Sequence, residues 1–213
     1  MIASLIRFGI IDMLKNGGLL MSYLKERILK DGIILPNNVI KVDSFMNHQI
    51  DPEIMQEIAI DFYYHFRQEG ITKVLTIEAS GIAPAIITAA HFKVPMLFAK
   101  KTQPSTLGNK DFYETDVFSY TKNVTNRVII SKNYINENDR VLIIDDFLAN
   151  GEAALGLVDL VEQAGAQVAG VGICIEKSFQ NGRQKLMDKG LEVFSVCRIG
   201  SLEDQQIEFL EGN

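Results

Sequence analysis

The chain has 213 residues, 47% of them hydrophobic and 23% charged, with a formal net charge of −6. That length and balance fit one globular domain with an appendage, and the acidic sign counts against a nucleic-acid-binding surface. Cys174 and Cys197 sit in apolar, strand-like segments and read as reduced core thiols, while His48, His65 and His91 are scattered and form no zinc pattern.

The opening "MIASLIRFGIIDMLKNGGLL" is moderately apolar, but Arg7, Asp12 and Lys15 interrupt it. It is too broken for a membrane span and has no small-residue cleavage site. A helix-like segment begins at residue 21, and residues 16–21 can be encoded by a ribosome-binding sequence followed by a start codon. Residues 1–20 are therefore expected to be an upstream extension, with 21–213 a single domain.

Ser22 caps a short helix, "YLKERILKD", which Gly32 ends. "GIILPNNVIKVDSFMNHQID" reads as short extended pieces with a turn at 36–38. Asp51 and Pro52 open the longest helix, along which Ile54, Ile58, Phe62 and Phe66 recur at a four-residue step before Gly70 closes it. "KVLTIE" (73–78) is a strand, "IAPAIITAAHF" (82–92) a small-residue helix and "VPMLFAK" (94–100) a strand. Residues 101–116, "KTQPSTLGNKDFYETD", are polar and weakly patterned, and are expected to form a structureless loop of the kind that closes over active sites.

"VFSYTK" and "RVIISK" pair as a β-hairpin. "RVLIID" (140–145) is a buried strand, and "EAALGLVDLVEQAG" (152–165) is a helix ending at Gly165. "QVAGVGICIEK" (167–177) is a strand, followed by a helix to Gly190 and a strand over 191–197. This alternation predicts an α/β fold with a mostly parallel, twisted sheet flanked by helices. Such sheets bind ligands beyond the carboxyl ends of their strands, here after Ile77, Ala99, Ile144 and Ile175.

The most informative of these ends is "VLIIDDFLANGEAALGLV". A buried strand is expected to end on Asp145 and Asp146, and "ANGEA" leads into a helix. The first N–H groups of a helix lack intrahelical partners, and small residues let an anion approach them. Carboxylates beside such a cradle can accept hydrogen bonds from vicinal hydroxyls or help to hold a divalent metal. A phosphate next to a diol receptor describes a ribose 5-phosphate site. A Walker B strand would look similar, but the chain has no Gly-Lys-Ser/Thr cradle. In a receiver domain the acidic pair follows the first strand, not one two-thirds along the chain. Two aspartates that only cap a loop are the remaining alternative.

"VLIIDDFLANG" resembles the phosphoribosyl-pyrophosphate (PRPP) signature of the type I phosphoribosyltransferases. Together with "KVDSFMNHQIDP" (41–52), "IEASGIAPA" (77–85) and "IEKSFQNGR" (175–183), it resembles more narrowly the bacterial xanthine phosphoribosyltransferases, over about residues 21–213. The resemblance implies the type I phosphoribosyltransferase fold, with a small hood built from the N-terminal segment and the chain's C-terminus. It implies transfer of the phosphoribosyl group from PRPP to xanthine, giving xanthosine 5′-monophosphate (XMP) and pyrophosphate.

Asp145 and Asp146 would be catalytic, holding the ribose diol. PRPP would be bound by Ala149, Asn150, Gly151, Glu152 and Ala153 at the 5′-phosphate, and by Ser80, Gly81, Lys100 and Lys101 at the pyrophosphate. Xanthine would be bound by Ile40, Asn47 and Lys177, because its oxo groups want donors. Glu152 departs from the hydroxyl-rich loops of many members, and its carboxylate is expected to point away while its N–H binds. Magnesium is expected with PRPP, with its protein ligands unknown. The resemblance further implies a cytoplasmic homodimer, with no nucleic-acid or membrane partner. The alternatives are a hypoxanthine/guanine phosphoribosyltransferase, a PRPP-sensing transcription regulator, which the acidic charge disfavours, and a ribose-phosphate-binding module without activity.

Overall fold

Apolar runs without a polar face, such as "VLII" at 141–144, need cover on both sides, and a computed structural model of the chain supplies it. The structure describes residues 23–101, 111–119 and 123–212. The expected extension at 1–20 and residues 102–110 of the expected loop lie outside these.

The described chain begins with α1 (Tyr23–Asp31) and the antiparallel pair β1 (Ile33–Leu35) and β2 (Val39–Lys41). The turn between the two strands places Asn37 and Asn38 in the left-handed region, which asparagine tolerates. A π-helical turn, Asp43–Asn47, follows where an extended segment was expected. Phe45 and Met46 are adjacent and both fully buried, whereas a strand would have sent one of them to the opposite face.

Helix α2 (Pro52–Phe66) starts as expected. Asp51 Oδ1 accepts the N–H groups of Glu53 (3.0 Å) and Ile54 (3.4 Å), and Pro52 occupies the first turn. Ile54, Ile58, Phe62 and Phe66 are all fully buried. Then come β3 (Lys73–Ile77), α3 (Ile82–Phe92) and β4 (Met96–Ala99), and the hairpin β5 (Phe112–Ser119) and β6 (Val124–Ser131). Strand β5 begins inside the segment expected to lack structure. Exposed Glu114 and Asp116 alternate there with Thr115 and Val117, which turn toward the protein.

The chain continues through β7 (Arg140–Leu148), α4 (Glu152–Gln163), β8 (Gln167–Lys177), α5 (Gly182–Asp188), β9 (Val193–Ser201) and the short β10 (Glu208–Leu210). Strand β7 runs past the two aspartates to Leu148. The long β8 keeps pairing with it through Phe147↔Ile175 and Leu148↔Glu176.

Six strands form one sheet in the order β10-β9-β8-β7-β3-β4, parallel except for β10 against β9. Leu142 and Ile144 of β7 pack with α1, α2 and α3 on one face, while Val141 and Ile143 pack with α4, α5 and the β5–β6 hairpin on the other. Cys174 and Cys197 are buried free thiols whose pKa values burial pushes up, that of Cys197 to about 12. No helix among the described residues is long and apolar enough to cross a membrane.

The hairpin rests directly on the backbone of α4. A Cβ on Gly156 would stand 2.4 Å from Val117 Cγ2. A glycine inside a helix sacrifices up to about 1 kcal/mol of propensity relative to alanine, but overpacking costs about 1–3 kcal/mol and valine's β-branched side chain cannot easily turn aside. Gly156→Val is therefore expected to lower the unfolding free energy by about 1–2 kcal/mol, seen as a lower denaturant midpoint at an unchanged m value.

Candidate active site

Strands β3 and β7 pair from Lys73↔Val141 as far as Leu75↔Ile143, and beyond that point they part. From β3 the chain passes through α3 outward to β4. From β7 it passes through α4 to β8 on the opposite side, so the winding direction reverses between β3 and β7. Open α/β sheets bind ligands at such a reversal. A cavity of about 250 Å³ fills the gap, lined by Ile77 at the end of β3 and Glu78 and Ser80 beyond it, by Asp145, Asp146 and Phe147 of β7, and by Lys101 and Phe118. A cavity of about 570 Å³ adjoins it, lined by residues 149–154, Lys177, Asn37 and Val39. Phe118, Phe147 and Ala153 line both.

Asp145 and Asp146 are 5% and 9% exposed. Asp145 Oδ1 accepts the Asp146 N–H at 3.0 Å. Burial pushes the pKa of Asp145 well above its ordinary 3.8, the Asp146 charge adds to that rise, and Lys101 counters part of it. A Cβ on Gly81 would lie 2.1 Å from Thr76 Oγ1 and 3.2 Å from Asp145 Oδ1, so the absence of a side chain lets α3 begin against the carboxylate. A buried acid whose proton affinity burial and a neighbouring carboxylate raise suits a ligand that brings hydroxyl donors or positive charge.

Residues 149–153 turn β7 into α4. Gly151 has φ +86°, which a Cβ would strain, and no side chain caps the helix it begins. The Gly182 N–H bonds Ala149 O at 3.0 Å, fastening the turn to the start of α5. The Glu152 carboxylate is engaged by Lys185 Nζ of α5 at 2.8 Å. The amides of this turn and the positive end of α4 can bind an anion in the larger cavity.

The basic pair separates. Lys101 lines the small cavity, and its N–H bonds Glu78 Oε1 at 2.7 Å. Lys100 exchanges backbone hydrogen bonds with Ile129 and lines a different cavity of about 670 Å³, with its ammonium over the Phe98 ring. Successive side chains of extended backbone point to opposite sides, which explains the split. Ser80 lines the small cavity, beyond the cis Glu78–Ala79 peptide.

Of the three residues expected at the base, Lys177 reaches the larger cavity. Its Nζ donates to Asn38 O at 2.9 Å and stands 5.9 Å from the Phe147 ring centre, and burial lowers its pKa. Ile40 is buried in the core with Val42 and Phe45, and its neighbour Val39 faces the cavity instead. Asn47 is exposed at the end of the π-helical turn and lines neither cavity.

Sequence reasoning missed Phe118, Phe147 and Glu176. Phe147 follows the two aspartates directly and was the detectable one, whereas Phe118 enters only through the fold of the hairpin. Glu176, beside Lys177, is fully buried and accepts hydrogen bonds from Ser195 (2.5 Å), Ser178 (2.7 Å) and Arg183 (2.8 Å). Burial by itself would raise its pKa, but these bonds and the Arg183 charge hold it below the ordinary 4.5.

The phosphoribosyl transferase domain family matches residues 47–205. The xanthine phosphoribosyltransferase of Macrococcus caseolyticus is 59% identical over 187 residues, covering 88% of this chain and 96% of that protein. The xanthine phosphoribosyltransferase of Staphylococcus aureus (strain Newman) is 54% identical over 187 residues, 88% of this chain and 97% of that protein. Among solved structures, Giardia lamblia APRTase complexed with 9-deazaadenine superposes with a TM-score of 0.69 at 21% identity, covering 85% of this chain and 100% of that one. Adenine phosphoribosyl transferase from Trypanosoma brucei, in complex with AMP, pyrophosphate and ribose-5-phosphate, gives a TM-score of 0.67 at 19% identity, covering 83% and 79%. At those identities the structures show the shared fold, and the family match with the two close relatives shows descent: the chain belongs to the phosphoribosyltransferase family.

Proposed function

We propose that the chain transfers the 5-phosphoribosyl group of PRPP to N9 of xanthine, releasing pyrophosphate and XMP. The observation that carries the proposal is the buried pair Asp145 and Asp146, which lines one hollow with the glycine-turned start of α4. Identity with the Macrococcus and Staphylococcus proteins supports xanthine as the base.

Base N9 attacks ribose C1 as the bond from C1 to pyrophosphate breaks. No side-chain nucleophile is required. Positive charge develops on the ribose, and the carboxylates of Asp145 and Asp146, hydrogen-bonded to the ribose hydroxyls, favour it. Asp145, whose proton affinity burial and the Asp146 charge raise, is better matched by the positive transition state than by the neutral sugar, and that difference accelerates the reaction. The amides of Ala149, Asn150, Gly151, Glu152 and Ala153 hold the 5′-phosphate, and Ser80, Gly81 and Lys101 serve the pyrophosphate, while Lys100 faces the other cavity and takes no part. Lys177 donates to an oxo group of the base beside Phe147.

Among the described residues no group of three or more His, Cys, Asp or Glu could hold a metal ion. Magnesium is expected with PRPP from the family resemblance, and the buried Asp145 and Asp146 are acids that could help to hold it. Bound there, it would neutralise phosphate charge. A homodimer working in the cytoplasm completes the reading and rests on the family resemblance.

An assay with PRPP and xanthine, hypoxanthine or guanine is expected to show the highest kcat/KM with xanthine, and a clear preference for hypoxanthine would overturn the assigned base. Asp145→Asn is expected to lower kcat by about 100-fold, the scale of losing one preorganised electrostatic group. Its stability should move the other way. An acid whose pKa folding raises stabilises the fold only while protonated. That contribution is complete below the unfolded value of 3.8 and lost as the pH rises through the folded value. Above the unfolded value Asp145 is therefore a burden to the fold, and thermal unfolding of the variant at pH 7 is expected at an equal or higher temperature. Light scattering is expected to give twice the mass of one chain.

A further inference from the structure

Acidic side chains in the first turn of a helix are favoured by its dipole. In a turn that receives a phosphate dianion the same charge repels the ligand. Glu152 stands in this conflict. It is the first residue of α4 and lines the larger cavity together with Asn150, Gly151 and Ala153.

Lys185 resolves the conflict from the neighbouring helix, with its Nζ 2.8 Å from Glu152 Oε1. The two side chains are 34% and 31% exposed, so the pair adds little to the stability of the fold. Its supports are nevertheless specific. The Gly182 N–H bonds Ala149 O, and a Cβ on Gly182 would stand 2.4 Å from Ala149 O and 2.8 Å from Gly151 N. The start of α5 is thus seated on the anion-binding turn itself, and Lys185 lies three residues further on.

We propose that Lys185 is a positioning residue for the 5′-phosphate: it binds and neutralises the Glu152 carboxylate, so that the amides of 149–153 meet the phosphate without an opposing charge. The inference rests on reading 149–153 as the phosphate subsite. It makes Lys185 act through Glu152, with no contact of its own to the ligand.

A double-mutant cycle on the full chain tests it, read by calorimetric titration with ribose 5-phosphate and by KM for PRPP. Lys185→Met is expected to weaken ribose 5-phosphate binding and raise KM for PRPP by about tenfold, the scale of one uncompensated charge near a protein surface, with kcat changed by less than about twofold. The same change made in Glu152→Gln should alter binding by less than about twofold, because no carboxylate is left to neutralise. Lys185→Arg should bind as the unaltered chain does. Equal losses in both backgrounds would mean that Lys185 meets the phosphate itself or supports the fold, and would overturn the proposal. No loss in either background would overturn it as well. An unaltered chain that fails to bind ribose 5-phosphate would remove the phosphate subsite and this inference with it. One that binds it but turns over no xanthine would remove the proposed transfer alone and leave the cycle decisive.

Discussion

A carboxylate taken out of water loses several kcal/mol unless partners replace its hydration, and near the end of β7 two adjacent carboxylates are taken out together. Much of the surrounding architecture serves that burial. The parting of β3 from β7 makes room for the acids. Val117 and Phe118 of the hairpin and Phe147 of β7 wall the cavity. The hairpin can lie where it does because Gly156 leaves the surface of α4 bare, and α3 can begin against Asp145 because Gly81 has no side chain. The site is thus a local energetic deficit held in place by the two cores on either side of the sheet.

Glu176 shows what a structural buried acid looks like in the same molecule. Serine hydroxyls and an arginine meet its oxygens, and its pKa falls. Asp145 has an aspartate for a neighbour, and its pKa rises. Both lie near the carboxyl ends of adjacent parallel strands, so topology alone does not separate them. The difference lies in the supply of partners: Glu176 is met by hydroxyls and a guanidinium, and Asp145 by a second carboxylate. Glu176 also adjoins Lys177, so the satisfied acid anchors the strand end from which the proposed base contact extends.

The parts of the fold that follow from local chemistry were legible in the sequence. Asp51 and Pro52 start α2 through the expected cap, the four-residue step of Ile54 to Phe66 buries as one stripe, and β8 spans the expected residues. The acidic pair late in a buried strand and the glycine turn after it were equally plain, because both reside in one continuous stretch, although the strand continues past the acids to Leu148. What was not legible depends on long-range packing. Residues 112–116 look like a polar loop until α4 gives their inward face something to cover. Ile40 and Val39 exchange roles because the strand's period of two decides which of them meets the core. Lys100 and Lys101 look equivalent in sequence, and only the bridge to Ile129 separates them.

Under the proposed transfer, two cationic groups near the hollow enter the reaction with partners already in hand. The Lys177 ammonium holds Asn38 O of the β1–β2 turn, and Lys185 holds Glu152. Binding at Lys177 is then an exchange of acceptors, and an exchange is worth only the difference between the old partner and the new. A purine with an oxo group opposite Lys177 can take the place of the Asn38 carbonyl without loss. One without it either leaves the lysine tied to the hood or strips it of a partner in a partly desolvated site, where an unmade hydrogen bond to a charge is expensive. Discrimination by that route is stronger than an apolar wall can give, since a site built to pair a polar group rejects the ligand that lacks it. The lysine's lowered proton affinity points the same way, because partial burial leaves less water to stand in for the missing acceptor.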